Sequence, residues 1–488
     1  MADALLIDAG DDVVTLLEDA VAGDQALGVT LTEDIARGHK VARHAITAGT
    51  PVVKFGYPIG RATRAIGVGE HVHQHNVATA LGGAESYRYT PASTPAPRPA
   101  LRTTFEGYAR GDGRVGTRNE IWVLPTVGCV ARTAERIAAR AAQELGTRVD
   151  GVHAFSHPHG CSQLGVDLAG TRGILASLAC HPNAAGVLIV GLGCEENQVS
   201  ALLGEIPEWR RPAIRILAAQ ASDDEVAEGV AKVVELASLA DVPRTTVGLD
   251  RLVLGVKCGG SDGLSGLTAN PLVGRVSDRV VEAGGRVVLT EIPEIFGAEQ
   301  MLMDRAIDEG VFDAVVGVVN GFKRYFLDHG EPVSENPSPG NVAGGITTLE
   351  EKSLGAVQKA GRAPLCDVIG YADRVRRDGL TLLEAPGNDA VSCTALVAAG
   401  ATAILFTTGR GTPLGFPVPT IKIATNHALA TRKPGWIDFD AGLVLDQGFE
   451  VAEAALIERI VAIASGAETA AERNDEREIA IWKRGVTL

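Results

Sequence analysis

Four cysteines follow predicted strands, where the ligand-binding residues of α/β folds lie. Three come directly after a glycine and the fourth is followed by two glycines: Cys129, Cys161, Cys194 and Cys258. In open α/β sheets, ligands bind beside the carboxyl ends of the strands. Thiolates that converge there can bind iron, or a cluster whose open position acts as a Lewis acid. The alternative is that these small side chains pack beside the sheets, and their spacing matches no standard CxxC pattern.

A histidine-rich segment, Glu70–Asn76, offers a second candidate metal site. His71, His73 and His75 alternate along it, and alternate residues of a strand share one face. Imidazoles on one face bind a divalent metal or hold a carboxylate, whereas the alternative is a polar strand face at a domain interface. We therefore expect either a mononuclear metal on His71 and His73 or a cluster on the four cysteines.

The segment Arg37-Gly-His-Lys40 places two candidate catalytic groups in the same part of the chain. His39 is a candidate general acid or base, and Lys40 is a candidate anchor for a carboxylate. The alternative is an ordinary surface turn.

Several loops rich in glycine and proline carry short hydrogen-bonding side chains that suit a hydroxylated ligand. One of them, Gly259–Gly263, matches the G-x-S-x-G pattern of hydrolases. A nucleophile elbow opens directly into a helix, but Gly266 and Pro271 follow here, so a ligand-binding loop is favoured over a serine nucleophile. Further loops of this kind span 335–341, 385–389 and 407–413, with ordinary turn chemistry as the alternative for each. The candidate substrate-binding residues are Ser261, Asp262, Asn270, Asn388, Asp389 and Arg410.

The elements that must position these residues are predicted by the pattern of the chain. After residue 105, apolar strands alternate with helices, which favours α/β units with mostly parallel sheets. Predicted strands span 121–127, 152–155, 187–192, 214–218, 252–256, 287–290, 314–319, 403–407 and 420–423. Predicted helices include 131–145, 223–239 and 273–283.

The first 90 residues show a different sequence pattern. Short strand-like runs broken by glycines predict a small β-rich module, with one helix near residues 11–22. Four prolines between residues 91 and 99 predict an extended linker. The predicted organisation is a module at 1–90, a linker at 91–104 and α/β domains at 105–245, 246–362 and 363–488.

Composition narrows the classes of function. The 488 residues are 45% hydrophobic and 22% charged, as in soluble globular proteins. A net charge of −15 disfavours nonspecific binding to nucleic acid or to anionic membranes. No leader or membrane span is expected, and 7 cysteines, an odd number, predict a reduced cytoplasmic protein rather than a disulfide framework. The 58 glycines favour a site built from tight loops.

These motifs, in this order, resemble the altronate dehydratase family of sugar-acid dehydratases, which is related to galactarate dehydratase. The histidine segment is of the altronate type, whereas Ala470 stands where that type carries a cysteine. The resemblance covers essentially the whole chain and rests on Asp34–Lys40, Lys54–Gly60, Gly69–His75, Gly113–Asn119, Leu124–Cys129, Gly160–Gly165, Gly191–Glu195, Cys258–Gly263, Glu335–Thr347, Ala385–Ala390, Thr407–Pro413, Trp436–Gly442 and Lys483–Leu488.

The resemblance implies an N-terminal SAF (β-clip) domain and a large UxaA-type α/β region. It also implies a hydro-lyase of hexuronate catabolism, stimulated by Fe²⁺ or Mn²⁺, that converts D-altronate to 2-dehydro-3-deoxy-D-gluconate. Two alternatives come from related enzymes. The substrate is galactarate or another sugar acid, or the activity is that of a sulfolactate sulfo-lyase. A serine hydrolase and a non-catalytic sugar-acid-binding protein are alternatives outside them.

For such a dehydration, we expect His39 to transfer a proton and Lys40 or Arg410 to bind the substrate carboxylate. The expected partner is a small sugar acid, with no nucleic acid and no membrane. Association into homo-oligomers is compatible with the sequence.

Overall fold

The computed structural model describes residues 2–91 and 98–488, so residues 92–97 of the predicted linker lie outside the described residues. The first part of the chain forms nine short strands, in antiparallel sheets of the order β1-β2-β5-β8, β3-β4 and β6-β7-β9. The strands are β1 (Ala4–Leu5), β2 (Val13–Leu16), β3 (Gln25–Ala26), β4 (Val29–Thr30), β5 (Lys40–Ala42), β6 (Pro51–Lys54), β7 (Tyr57–Ala62), β8 (His71–Val72) and β9 (Val77–Ala78).

The β-rich character of this N-terminal module is confirmed, but the helix expected near residues 11–22 is wrong. Val13, Val14 and Thr15 form β2, because β-branched side chains fit a pleated, buried surface better than a helix. β5 lies between β2 and β8 in this sheet and pairs with both.

The next part of the chain is an α/β unit around a four-stranded parallel sheet, in the order β13-β12-β14-β15. A small antiparallel sheet, β11-β10-β16, lies beside it in the chain. The elements are β10 (Thr104–Ala109), β11 (Val115–Gly116), β12 (Glu120–Pro125), α1 (Ala131–Leu145), β13 (Val152–Ala154), α2 (Gly165–Ala179), β14 (Ala184–Gly191), α3 (Val199–Glu205), β15 (Ile214–Ala218), α4 (Glu225–Leu236) and β16 (Thr245–Gly248).

The last part is built on a seven-stranded parallel sheet, in the order β19-β20-β18-β17-β21-β22-β23. Its elements are β17 (Val253–Cys258), α5 (Ala269–Glu282), β18 (Arg286–Leu289), α6 (Glu299–Met303), α7 (Glu309–Asp328), α8 (Pro339–Ala343), α9 (Leu349–Ala356), β19 (Leu365–Ile369), β20 (Gly379–Leu383), α10 (Asp389–Ala398), β21 (Ala403–Thr408), β22 (Thr420–Ala424), α11 (His427–Arg432), β23 (Phe439–Asp440), α12 (Leu443–Ala464) and α13 (Ala470–Arg473).

The predicted class, a small β-rich module followed by an α/β region with mostly parallel sheets, is confirmed. The strand expected at residues 314–319 is wrong, because this apolar run lies inside the 20-residue helix α7. Asp308 caps that helix by accepting a hydrogen bond from Val311 N. The buried side chains Val311, Val315 and Val319 recur every four residues, which is the spacing of one helix face.

Strands on both sides of residue 362 join the same seven-stranded sheet, and the domain boundaries stay a prediction. One hydrophobic core also runs from the N-terminal module, through Val52 and Ile59, to Leu349 of α9. Buried side chains therefore fix the module against the part of the chain that follows β17. Among the described residues, no helix combines the length and apolar character needed to cross a membrane.

Candidate active site

Three histidines meet where the N-terminal module faces α8 and α9. His39 directly precedes β5, and His71 begins β8 opposite Val41. Nδ1 of His39 lies 3.0 Å from Nε2 of His71, and the ligand atoms of His39, His71 and His73 all lie within 4.8 Å of one another. The structure therefore joins His39 to the two histidines that the sequence singled out as metal ligands.

The histidine segment is not the continuous strand that its alternation suggests. β8 ends at Val72, and residues 73–76 form a bend and turn. His73 turns back toward His39, with 5.0 Å between the ring centroids. His75 is exposed, 5.4 Å from His71 between ring centroids, and stays outside the group of three.

The surroundings lower the pKa of each of these three imidazoles. Burial, followed by the charge of His39, lowers the pKa of His71 to about 3. Burial and the charge of Lys40 lower the pKa of His73 to about 4, and they also lower the pKa of His39. Oγ1 of Thr347 lies 3.0 Å from Nδ1 of His73 and fixes that ring from behind. Neutral rings present the lone pairs that a metal ion requires.

A buried glutamate anchors the segment that carries His39. Glu351 of α9 binds Lys40 through Oε2 (2.9 Å) and Lys54 through Oε1 (2.8 Å). Its Oε2 also accepts a hydrogen bond from Thr347 N (2.8 Å). Burial would raise the pKa of Glu351, but the two lysine charges outweigh it and hold this pKa at about 2.

Lys40 itself is fully buried. It donates to Gly345 O (2.7 Å) as well as to Glu351, and burial lowers its pKa to about 8. Lys40 was predicted to anchor a carboxylate, and the structure buries its ammonium group in an ion pair with Glu351 rather than on a free surface. Whether substrate reaches it stays a prediction.

Three backbone segments, at Gly38, Gly263 and Gly345, approach one another here closely enough to require glycine. A Cβ at Gly263 would lie 1.9 Å from Gly38 O, and a Cβ at Gly345 would lie 2.3 Å from the same oxygen. Gly38 (φ +83°) and Gly345 (φ +98°) also occupy the left-handed region that favours glycine. Part of the glycine excess thus serves to bring the module against the loops of the large sheet.

A cavity of about 790 Å³ opens beside the histidines. His39, His73 and Gln74 lie in its wall, together with the loop 335–339. The sequence predicted that loop as a ligand-binding loop, and it brings the side chains of Asn336 and Ser338 to the cavity. Lys352 reaches the same loop from α9, donating to Asn336 Oδ1 over 3.1 Å.

A second cavity, of about 700 Å³, contains two of the predicted substrate-binding residues, Asp262 and Arg410. Gly38 lines this cavity, His39 lines the first and Ala343 lines both, so the two cavities adjoin. Arg37 and Arg432 add two further guanidinium groups to this wall, which also carries Glu18 and Asp19. Burial raises the pKa of Asp262, whose carboxylate accepts hydrogen bonds from Ser265 Oγ (3.0 Å) and Thr425 Oγ1 (3.0 Å).

The other predicted substrate-binding side chains are engaged within the protein. Asn270 accepts from Thr407 Oγ1 (2.6 Å) and donates to Gly355 O (3.1 Å). Asn388 caps α10 by accepting from Val391 N (3.1 Å), and Asp389 pairs with Lys257 (3.0 Å). Ser261 is buried, and within the described chain its hydroxyl has no hydrogen bond to a histidine. Their roles toward a ligand stay predictions.

Cys258 belongs to a buried charged network at the carboxyl end of β17. Its Sγ accepts from Lys359 Nζ (2.8 Å), which also pairs with Glu291 Oε2 (3.1 Å). Lys257 pairs with Glu291 as well, and burial raises the pKa of Cys258 to about 11. Lys352 pairs with Glu294 (2.9 Å), whose other oxygen faces Cys258 Sγ at 3.6 Å.

The ligand atoms of Cys258, Glu291 and Glu294 also lie within 4.8 Å of one another. Each of these groups is already paired with an ammonium group, from Lys257, Lys352 or Lys359. A cation here would meet three positive charges, so the histidine group suits a metal better. The structure does not bring Cys258 together with the other three candidate cysteines, which lie exposed on the four-stranded sheet.

Sequence reasoning missed most of the buried charges around these groups. Lys257 stood inside an apolar strand, Val253–Cys258, and Glu350-Glu-Lys352 stood inside a helix that is buried throughout. A charged residue in an otherwise apolar segment is a usable signal, because such a group is rarely buried without a partner. The partner itself could not be read from the local sequence.

Comparisons with known proteins match the chain along nearly all of its length. Three family models match in order: the altronate/galactarate dehydratase SAF domain at 2–80, the second domain of D-galactarate dehydratase/altronate hydrolase at 107–241, and the C-terminal part of D-galactarate/altronate dehydratase at 249–487. Altronate dehydratase of Escherichia coli is 49% identical, with 99% of each chain covered. Altronate dehydratase of Bacillus subtilis is 46% identical, with 100% of each chain covered. Galactarate dehydratase (L-threo-forming) of E. coli is 34% identical over 86% of this chain and 83% of that one.

Proposed function

This chain belongs to the altronate and galactarate dehydratase family, and from that premise we propose that it is a hydro-lyase converting D-altronate to 2-dehydro-3-deoxy-D-gluconate. Nearly half of its residues are identical to those of two altronate dehydratases over the full length. The lower identity to a galactarate dehydratase, over less of the chain, favours D-altronate over galactarate.

The observation that carries the proposal is the group of three histidines whose ligand atoms lie within 4.8 Å of one another, two of which, His39 and His73, line a cavity of about 790 Å³. The reaction removes a proton from C2 and the hydroxyl from C3. A C–H bond beside a carboxylate is barely acidic, so positive charge near the developing enediolate is the largest catalytic need.

The histidine group fits a divalent cation such as Fe²⁺ or Mn²⁺ on three grounds. The three donor atoms lie within 4.8 Å of one another, the imidazoles are neutral, and Thr347 orients His73 as a second partner does for many metal-bound histidines. His39, His71 and His73 would hold the cation. When bound, it would supply the charge that stabilises the enediolate and polarises the leaving hydroxyl.

The protein's own groups then bind and orient the substrate. Gln74, Asn336 and Ser338 reach the same cavity with amide and hydroxyl groups that suit the hydroxyls of a sugar acid. Glu351, held between Lys40 and Lys54, accepts a hydrogen bond from the backbone N–H of Thr347 and so keeps Thr347 in place. In the adjoining cavity, whose wall also carries Glu18, Asp19 and Asp262, Arg410 would pair with the carboxylate of the substrate.

His39 has two competing roles in this proposal. As a ligand, it would hold the cation together with His71 and His73. As the acid or base predicted from the sequence, it would transfer a proton while the other two hold the cation. A His39→Asn variant separates them, because loss of metal affinity indicates a ligand, whereas retained affinity with lost turnover indicates proton transfer.

A dehydratase assay with D-altronate and with galactarate, with and without Fe²⁺ or Mn²⁺ under anaerobic conditions, tests the function. The expected result is a 2-keto-3-deoxy acid from D-altronate, lost in His73→Asn and kept in the control His44→Asn. His44 is 55% exposed in the same module, does not line the cavity, and among the described residues pairs with Asp12 alone. Absence of keto acid from both substrates under all metal conditions would contradict the proposal.

Cytoplasmic localisation and homo-oligomer formation stay predictions. A serine hydrolase is less well supported, because Ser261 is buried and its hydroxyl contacts no histidine among the described residues. Labelling of Ser261 by a serine-hydrolase probe would reverse that judgement.

A further inference from the structure

Three exposed cysteines lie at one edge of the four-stranded sheet. Cys129 follows β12, Cys161 follows β13 and Cys194 follows β14, and β12 is the parallel neighbour of both other strands. All three are free and exposed, whereas the chain buries Cys180, Cys258 and Cys393. Filling of the core therefore accounts for the buried cysteines but not for these three.

The loops that carry them bind one another next to each cysteine. Gly128 N donates to His159 O (2.9 Å), beside Cys129. Asn197 N donates to Gly160 O (3.0 Å), beside Cys161. Thr126 Oγ1 donates to Glu195 Oε1 (2.6 Å), beside Cys194. Each cysteine is thus one residue away from a hydrogen bond between two of the three loops.

Glycine before the cysteine makes this convergence sterically feasible. A Cβ at Gly160 (φ +100°) would lie 2.1 Å from Thr126 O, in the loop that leads to Cys129. At Gly193 (φ +132°), a Cβ would lie 2.6 Å from Gln220 Oε1. Gln220 Nε2 is 3.6 Å from Cys194 Sγ. The Gly-Cys pairs therefore let the loops close over one another while the thiols remain at the surface.

The three sulfurs are not grouped closely enough for a single ion. A tetrahedral ion with metal–sulfur bonds of about 2.3 Å holds its sulfurs about 3.8 Å apart. Two groups in the described chain have three ligand atoms within 4.8 Å of one another, and this cysteine trio is not one of them. An iron–sulfur core places its own irons and sulfides between the thiolates and so spans a wider set.

We propose that Cys129, Cys161 and Cys194 hold a [4Fe–4S] cluster at this edge of the sheet, with one iron not bound by a cysteine. The cluster site is separate from the histidine group, since no residue of these three loops lines the cavity beside His39 and His73. Cys258 is not a ligand, because it lies buried on the seven-stranded sheet against Lys359. This inference does not depend on the proposed dehydratase activity.

The test is spectroscopic and analytical, on the full-length protein purified without oxygen and reconstituted with ferric iron, sulfide and a thiol reductant. We expect about four iron and about four acid-labile sulfide per chain beyond the iron held by the histidines, a broad visible charge-transfer band, and an electron paramagnetic resonance signal after reduction. His73→Asn should keep the sulfide and the visible band, which separates this site from the histidine group.

Cys129→Ser, Cys161→Ser and Cys194→Ser should each lose the sulfide and the band, whereas the matched control Cys366→Ser should keep both. Cys366 is a half-buried cysteine on β19. Because the three substituted side chains are exposed, circular dichroism should show all variants folded. No sulfide in the reconstituted wild type, zinc without sulfide in the isolated protein, or full sulfide in all three variants would each overturn the proposal.

Discussion

Lys40 and Glu351 form a buried ion pair between the N-terminal module and α9, with 2.9 Å between Nζ and Oε2. Neither side chain is more than 2% exposed. Lys40 follows His39 directly in the sequence. Glu351 accepts a hydrogen bond from the backbone N–H of Thr347, whose hydroxyl contacts His73. Stability of the interface and placement of the candidate metal ligands therefore depend on the same carboxylate.

Replacing this carboxylate should destabilise the fold strongly. Glu351→Gln would leave Lys40 and Lys54 buried without a counter-charge, and breaking such a buried arrangement costs about 3–5 kcal/mol. Urea unfolding measures the difference. The control Glu235→Gln removes an exposed partner of Arg215 and should change the unfolding free energy within experimental error. Equal effects of the two substitutions would contradict the importance of Glu351.

Thr347 should tune the affinity for metal without contacting it. Thr347→Val removes the hydroxyl 3.0 Å from Nδ1 of His73 while keeping the side-chain shape. We expect metal affinity to fall about 10- to 100-fold, as for other outer partners of histidine ligands. Anaerobic Mn²⁺ titration calorimetry provides the measurement. Thr50→Val, which removes a hydroxyl that donates to Thr47 O, serves as the control and should leave affinity unchanged.

A buried ion pair between Arg118 and Glu472 should make the stability of the fold depend on pH. Glu472 accepts from Arg118 through both oxygens, at 2.8 and 2.9 Å. Burial would raise the pKa of Glu472, but the charge and hydrogen bonds of Arg118 outweigh it and lower this pKa. Since the folded pKa lies below the unfolded value of about 4.3, the stabilisation is complete above that pH and is lost as pH falls through the folded pKa.

The Glu472→Gln variant should therefore be less stable than wild type at pH 7, and the gap should narrow on acidification. Urea midpoints measured from neutral pH into the acid range follow this gap. A gap that stays constant or widens as pH falls would show that the pKa of Glu472 is not lowered.

The close approach of Gly263 to Gly38 should be intolerant of any side chain. In Gly263→Ala, the new Cβ would lie 1.9 Å from Gly38 O, so the segment carrying His39 must move. Overpacking of this kind costs about 1–3 kcal/mol, and turnover and metal affinity should fall with it. Gly317→Ala, in α7, should instead stabilise by about 0.5–1 kcal/mol, since no described atom beyond its own stretch of helix lies within 4 Å of the new Cβ. Normal metal affinity in Gly263→Ala would mean that the backbone adjusts without moving His39.

Local patterns in the sequence determined much of the scaffold. The predicted helix at 131–145 and strand at 214–218 coincide with α1 and β15, because hydrophobic period and buried β-branched runs are local properties. The positions of Cys129, Cys161 and Cys194 after strands were also readable, since parallel neighbours end at one edge of a sheet. The same local signals failed at 314–319, where a run rich in valine lies in a helix capped by Asp308.

Only the tertiary structure decided which reactive groups meet. His39 joins His71 because β5 pairs with β8, and it is held there by Glu351, from a helix far along the chain. Cys258 lies apart from the other candidate cysteines because β17 belongs to a different sheet from β12, β13 and β14. Contacts of this kind arise from burial and strand pairing between distant segments, whose free energies no short window of sequence contains.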